Sequence, residues 1–190
     1  PPEHLEYLMG LYDAGLRKMD DDLRLLFAAL DARGLLDTAL IVITSDHGEG
    51  FLEHGQMLHG TYHDEIMRVP LIVIPPDRLR VAQHRVSDLS RAIDIAPTLL
   101  DFVGQDPRGT GHSLLPAMLR AEALENTDVL FSPSDVLRGQ DEHSSYKYCE
   151  DGGFFDLDDD PLELDNRLTD PAFGDRLAAV KRKQSKLLRE

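Results

Sequence analysis

Residues 38–48, TALIVITSDHG, are the most informative stretch of this chain. The apolar run at 39–43 is short and rich in β-branched residues, which predicts a buried strand of a parallel sheet. Asp46 and His47 follow where that strand should end, and Gly48 allows the backbone to turn sharply. Ligands of open α/β sheets bind at the carboxyl ends of strands. We therefore interpret Asp46 and His47 as candidate ligands of a divalent cation.

Other interpretations fit the same dipeptide. An Asx-type turn followed by an incidental histidine has this sequence, and so does a metal-free acid–base pair of His47 with Glu49 or Glu53. The loop at 49–64 favours a site here, because long loops beyond strand ends commonly carry function. It contains three further histidines, His54, His59 and His63. Chain spacing does not determine which of them points towards Asp46.

Composition excludes some classes of partner. A net charge of −15 disfavours nucleic acids and anionic membranes, which bind basic surfaces. No apolar run approaches the roughly 20 residues of a membrane-spanning helix. With Cys149 as the single cysteine, no intrachain disulfide can form, so the compartment stays unassigned.

Periodicity predicts the remaining elements. The first half should contain a helix at 3–33 that Gly34 ends, a second buried strand at 71–74, and an extended segment or strand at 81–87. A helix at 88–102 should break near Ile95 because of Pro97. A short helix interrupted by Pro116 is expected within 113–124.

Short strand candidates follow at 129–131, 146–148 and 154–157, and the turn signals between them predict a small antiparallel sheet. Residues 171–190 read as an amphipathic terminal helix. The predicted fold class is α/β: part of a doubly wound mixed sheet with flanking helices, plus a small C-terminal antiparallel sheet and terminal helix. The predicted division is into residues 1–125 and 126–190.

Several ordered motifs together resemble the sulfatase family of the alkaline phosphatase superfamily. The stretch 37–49, followed by Glu53-His54-Gly55, carries the closest resemblance. The others are Arg68-Val69-Pro70, Asp94-Ile95-Ala96-Pro97-Thr98, Gly111-His112-Ser113, Tyr146-Lys147-Tyr148 and Phe155-Asp156-Leu157 with Asp160-Pro161-Leu162-Glu163. The resemblance implies an alkaline phosphatase-like fold, with 1–125 as the C-terminal part of its α/β domain and 126–190 as its small α+β subdomain.

The resemblance also implies metal-dependent hydrolysis of small sulfate esters. By position, Asp46 and His47 match metal ligands of the family, with calcium as the first expectation and manganese or zinc as alternatives. His59 matches a residue that contacts the substrate anion and serves catalysis, whereas in phosphotransferring relatives the matching histidine belongs to the zinc site, so its role stays open. His63 is expected to contact substrate as well. Glu49 and His54 are expected to hold these residues in place without binding the metal or the substrate themselves.

The family's nucleophile is a formylglycine made from Cys/Ser-x-Pro-x-Arg, and this motif does not occur in the 190 residues. The family's N-terminal aspartate pair is not matched either. We therefore expect the chain to be a C-terminal portion of a longer protein and to be inactive by itself. Its expected partners are the missing N-terminal part of its own fold and a second copy of the protein in a homo-oligomer. The alternatives are a phosphate or phosphonate ester hydrolase or phosphotransferase of the same superfamily, and a non-catalytic remnant.

Overall fold

The computed structural model describes residues 2–81, 85–120, 123–124, 128–131, 135–150 and 152–189. The chain forms two compact units, the first made of residues 1–60 and 69–84, the second of residues 61–68 and 85–190. Part of the candidate segment 81–87 lies outside the described residues. The division at residue 125 concerns the family's subdomains and stays a prediction.

The first unit begins with helix α1 (Pro2–Asp31), which confirms the helix predicted at 3–33. Gly34 ends it at φ +65°, the left-handed cap conformation that glycine adopts most readily. Strand β1 (Ile41–Thr44) follows, then the two-residue strands β2 (Gly50–Phe51) and β3 (Met57–Leu58), and β4 (Leu71–Ile74). Strands β2 and β3 form a small antiparallel hairpin.

The expected parallel neighbour of β1 is absent among the described residues. Strand β1 pairs antiparallel with β4, Ile41 opposite Ile74, and this sheet contains no other described strand. Both strands are only half-buried, in contrast to the predicted burial. The physical reason is that an apolar strand is buried on both faces only where layers cover both faces of its sheet.

The second unit begins with the short helix α2 (Asp64–Met67) and continues with α3 (Ile95–Phe102) and α4 (Leu115–Arg120). A 3-10 turn precedes α3 and ends at Asp94, which confirms the break predicted near Ile95. Pro97 and Pro116 lie in the first turns of α3 and α4, where a missing N–H removes no helical hydrogen bond.

The C-terminal sheet consists of β5 (Asp128–Phe131), β6 (Val136–Gln140), β7 (Ser145–Cys149) and β8 (Gly153–Asp156), antiparallel in this order. Helix α5 (Gly174–Leu187) packs against one face. The core there consists of five buried residues, Leu137, Tyr146, Tyr148, Phe154 and Val180. The predicted sheet and terminal helix are confirmed, whereas strand β6 was not predicted.

Candidate functional site

The residues that end β1 form a tight turn with an exposed carboxylate. The backbone N–H of His47 donates a 3.0 Å hydrogen bond to Oδ1 of Asp46. This hydrogen bond, with smaller contributions from Asp46's own backbone and the His47 ring, lowers the pKa of the Asp46 carboxyl. Asp46 is therefore ionised at neutral pH, and its side chain is 87% exposed.

The ring of His47 has a defined tautomer. Its Nδ1 lies 2.7 Å from the carbonyl oxygen of Gly48. Because a carbonyl can only accept, Nδ1 carries the proton of a neutral ring, and Nε2 keeps a free lone pair. Metal-bound histidines in proteins usually have this arrangement, with the second nitrogen held by a backbone carbonyl or a carboxylate.

The two candidate ligand atoms converge. Nε2 of His47 lies 3.9 Å from Oδ2 of Asp46, close to the separation that two ligands of one cation have at bond lengths of about 2.0–2.4 Å. The donor set, one carboxylate oxygen and one imidazole nitrogen, fits a divalent cation. Among the described residues, no three His, Cys, Asp or Glu side chains are grouped so that they could hold a metal ion. Asp46 and His47 thus fit as part of a ligand set.

His59 joins this pair through its ring. The rings of His47 and His59 stack with centroids 4.3 Å apart and planes at 28°. Nδ1 of His59 lies 3.9 Å from Oε1 of Glu49, a buried oxygen with no hydrogen-bond partner among the described residues. Such a buried, unsatisfied carboxylate oxygen is costly unless a proton donor or cation approaches it. The structure therefore brings together Asp46, His47, Glu49 and His59.

The hairpin that carries His59 contains unusual backbone conformations. Leu52 has φ +73° and Leu58, directly before His59, has φ +70°. A branched residue in the left-handed region costs about 1–3 kcal/mol and is concentrated at functional sites. His54 lies near the tip of the hairpin and is half-buried. Its predicted supporting role stays a prediction.

His63 belongs to the second unit, whereas the other candidates belong to the first. Its ring is buried, with Nδ1 2.6 Å from Oε2 of Glu163. The substrate contact proposed for His63 from the sequence stays a prediction; the structure shows this hydrogen bond between the ring and the Glu163 carboxyl. Nothing in the local sequence indicates a partner one hundred residues away.

Comparison with known proteins gives a consistent result. The family model described as Sulfatase matches residues 3–105. The multifunctional alkaline phosphatase superfamily protein PehA of Trinickia caryophylli is 31% identical over 194 residues, covering 89% of this chain and 38% of that protein. Arylsulfatase K of Xenopus laevis is 30% identical over 186 residues, covering 86% of this chain and 34% of that protein.

Among solved structures, the phosphonate monoester hydrolase of Agrobacterium radiobacter matches with a TM-score of 0.72 and 26% identity. The match covers 90% of this chain and 39% of that one, and it confirms the alkaline phosphatase-like fold. The chain thus spans less than two fifths of the length of each of these three proteins. None of the described helices is long and apolar enough to span a membrane.

Proposed function

The chain belongs to the sulfatase family, and we propose that the protein it comes from hydrolyses small sulfate esters with a divalent cation held in part by Asp46 and His47. The convergence of the Asp46 carboxylate and the free Nε2 of His47 carries this proposal. The similarity to arylsulfatase K supports sulfate as the ester group.

Each residue of the candidate site has a separate task. Asp46 contributes an anionic oxygen and His47 a neutral nitrogen, already oriented by the Gly48 carbonyl. His59, stacked on His47 and facing Glu49 through Nδ1, keeps Nε2 for an oxygen of the substrate. When bound, the cation would offset the negative charge on the ester oxygens as the bond breaks.

We place the nucleophile outside these 190 residues, since the Cys/Ser-x-Pro-x-Arg motif does not occur in them. The identity of the cation is part of the proposal. The carboxylate suits calcium, whereas the imidazole makes manganese and zinc direct competitors. Metal analysis of the purified protein decides between them.

The test uses the full-length protein, with turnover of 4-nitrophenyl sulfate and metal content measured together. Asp46→Ala should lower both bound metal and kcat/KM, the latter by more than about 100-fold, since even ligand-supporting residues can cost 10–100-fold. Asp13→Ala, on the exposed side of α1, is the matched control and should change neither. Unchanged metal content and turnover in Asp46→Ala would refute the proposal.

Hydrolysis of phosphate or phosphonate esters is the alternative, favoured by the similarity to the phosphonate monoester hydrolase and to PehA. A sulfate monoester carries one negative charge and a phosphate monoester carries up to two. Comparing the two substrates therefore tests which charge the site favours. 4-Nitrophenyl phenylphosphonate and 4-nitrophenyl phosphate should be compared with 4-nitrophenyl sulfate by kcat/KM. A sulfate value below the other two would favour this alternative.

A further inference from the structure

The hairpin that carries His59 is too short to hold its own conformation. Strands β2 and β3 contain two residues each, with Gly50 opposite Leu58 and Phe51 opposite Met57. A single two-stranded hairpin is marginally stable at best in water, and it needs further strands or a helix packed against it. The left-handed backbone of Leu58 adds strain directly before His59. Contacts from outside the paired residues must therefore support the hairpin.

Helix α1 supplies such a contact through Tyr12. The rings of Tyr12 and Phe51 meet edge to face, with centroids 5.3 Å apart and planes at 74°. Aromatic pairs prefer this geometry, and it stabilises them beyond the apolar area that they bury. Tyr12 is still 43% exposed and Phe51 is half-buried, so the pair lies at the edge of the unit and not in a closed core. The contact holds the side chain of Phe51 against a helix of 30 residues.

The turn of the hairpin fixes the backbone of the same residue. The N–H of Phe51 donates a 2.5 Å hydrogen bond to Oε2 of Glu53. Within the turn, the N–H of Leu52 donates to the carbonyl of Gln56 and the N–H of Gly55 donates to the carbonyl of Leu52, each at 3.0 Å. Phe51 is thus held at its ring by α1 and at its backbone by the turn, and it is the residue through which the helix acts on the hairpin.

A short series of observed contacts connects Phe51 with the candidate site. Phe51 pairs with Met57, and His59 follows Met57 after one intervening residue. The ring of His59 stacks on His47 with centroids 4.3 Å apart. Every residue of this series, and Tyr12 as well, belongs to the first compact unit. A displacement of the hairpin at Phe51 therefore moves the imidazole of His59 relative to His47.

We propose that Tyr12 is a positioning residue for His59: its ring holds the β2–β3 hairpin through Phe51 and thereby sets this histidine beside His47. The proposal rests on the proposed function, in which His59 binds an oxygen of the substrate. Asp46 and His47 keep their own hydrogen bonds in the turn that follows β1. Loss of the Tyr12 ring should therefore lower turnover and leave metal binding unchanged.

Tyr12→Leu in the full-length protein is the first test, because leucine keeps an apolar side chain and removes the aromatic edge. The specific part of an aromatic pair corresponds to a factor of about two to ten, so kcat/KM for 4-nitrophenyl sulfate should fall by that factor at unchanged metal content. Tyr12→Phe retains the ring and should keep most of the activity. Tyr7→Leu, at a 67% exposed position of the same helix, is the matched control and should keep wild-type kcat/KM. Wild-type kcat/KM in Tyr12→Leu would overturn the proposal.

A second background separates positioning from general stability. If Tyr12 acts through His59, Tyr12→Leu should cause no further loss of kcat/KM in a His59→Ala protein, because the residue that it positions is gone. All variants are assayed well below their Tm, so that each stays folded. A merely structural role would lower kcat/KM by the same factor in both backgrounds, and equal losses would overturn the proposal.

The NMR resonance of the His59 ring is a readout that requires no turnover. Because His59 stacks on His47, its Cε1–H resonance is subject to the ring current of His47 and reports their relative position. Tyr12→Leu should shift this resonance in the full-length protein, whereas Tyr12→Phe and Tyr7→Leu should leave it unchanged. If the wild-type protein hydrolyses no sulfate, phosphate or phosphonate ester, the proposed function fails and this resonance alone decides. An unchanged His59 resonance in Tyr12→Leu would then overturn the positioning by Tyr12.

Discussion

Gly111→Ala should strongly destabilise the second unit, because this glycine lies against backbone atoms that cannot move aside easily. A Cβ at residue 111 would stand 2.1 Å from the carbonyl oxygen of Ile93 and 2.6 Å from its carbonyl carbon. Non-bonded heavy atoms are most stable about 3.5–4.0 Å apart, so the segment would have to withdraw by roughly 1.5 Å.

The withdrawal breaks a specific hydrogen bond. The backbone N–H of His112 donates to Oδ1 of Asp94 at 2.9 Å, and Asp94 is fully buried. A lost hydrogen bond to a charged group costs about 1.5–3 kcal/mol, and overpacking adds about 1–3 kcal/mol. We therefore expect Gly111→Ala to lower the free energy of unfolding by about 3–5 kcal/mol.

Urea unfolding monitored by circular dichroism measures this change. With a slope of about 2 kcal/mol per M urea, the midpoint should fall by about 1.5–2.5 M. Gly174→Ala is the control in the same unit, since a Cβ there meets nothing within 4 Å. It should stabilise slightly, by about 0.4–1 kcal/mol, through the unfolded state. A Gly111→Ala midpoint within about 0.3 M of the wild type refutes the close approach.

Two further predictions concern the second unit. The pKa values of Asp141 and Asp156 are lowered, because hydrogen bonds from Arg176 to Asp141, and from Ser144 and Arg176 to Asp156, outweigh burial; the pKa of Asp64 is held at about 2. These folded-state pKa values lie below the unfolded value of about 3.9. The three ionised carboxylates therefore stabilise the fold fully above about pH 4, and this stabilisation is lost as pH falls towards 2. Urea midpoints that are equal at pH 5 and pH 3 would contradict this prediction. Leu137→Ala, at a fully buried core position, should cost about 2–5 kcal/mol in the same assay, and a loss below about 1 kcal/mol would show that the core is not packed as described.

Sequence reasoning was accurate where the decisive contacts are local. The chain from 38 to 48 contains both the strand and the turn that brings Asp46 and His47 together, so their proximity follows from adjacent residues, while their role as metal ligands stays a prediction. The same holds for the helix that Gly34 ends. The break near Ile95 follows from a single proline, Pro97, which is the third residue of α3 and therefore lies in its first turn.

Sequence reasoning missed what distant residues determine. Strand β6 has only Val136 and Leu137 as apolar residues, followed by Arg138 and Gly139, so its pattern does not indicate a strand. Gly139 is required there because a Cβ would stand 2.2 Å from Oδ1 of Asp128. The antiparallel pairing of β1 with β4 likewise depends on how the chain returns about thirty residues later.

The buried charges of the C-terminal sheet were missed for the same reason. Tyr146-Lys147-Tyr148 predicts a strand with one face turned to water, since an isolated lysine is almost never fully buried. Its acceptors lie 85 residues earlier and 16 residues later in the chain. The ion pairs of Lys147 with Asp64 and Glu163, and of Arg138 with Asp64, offset the cost of burying these charges.

These two kinds of contact divide the candidate site into parts with different sensitivities. Asp46 and His47 depend on hydrogen bonds within four residues, so the ligand pair should survive changes elsewhere in the fold. His59 depends on the left-handed Leu58 before it and on its stacking against His47.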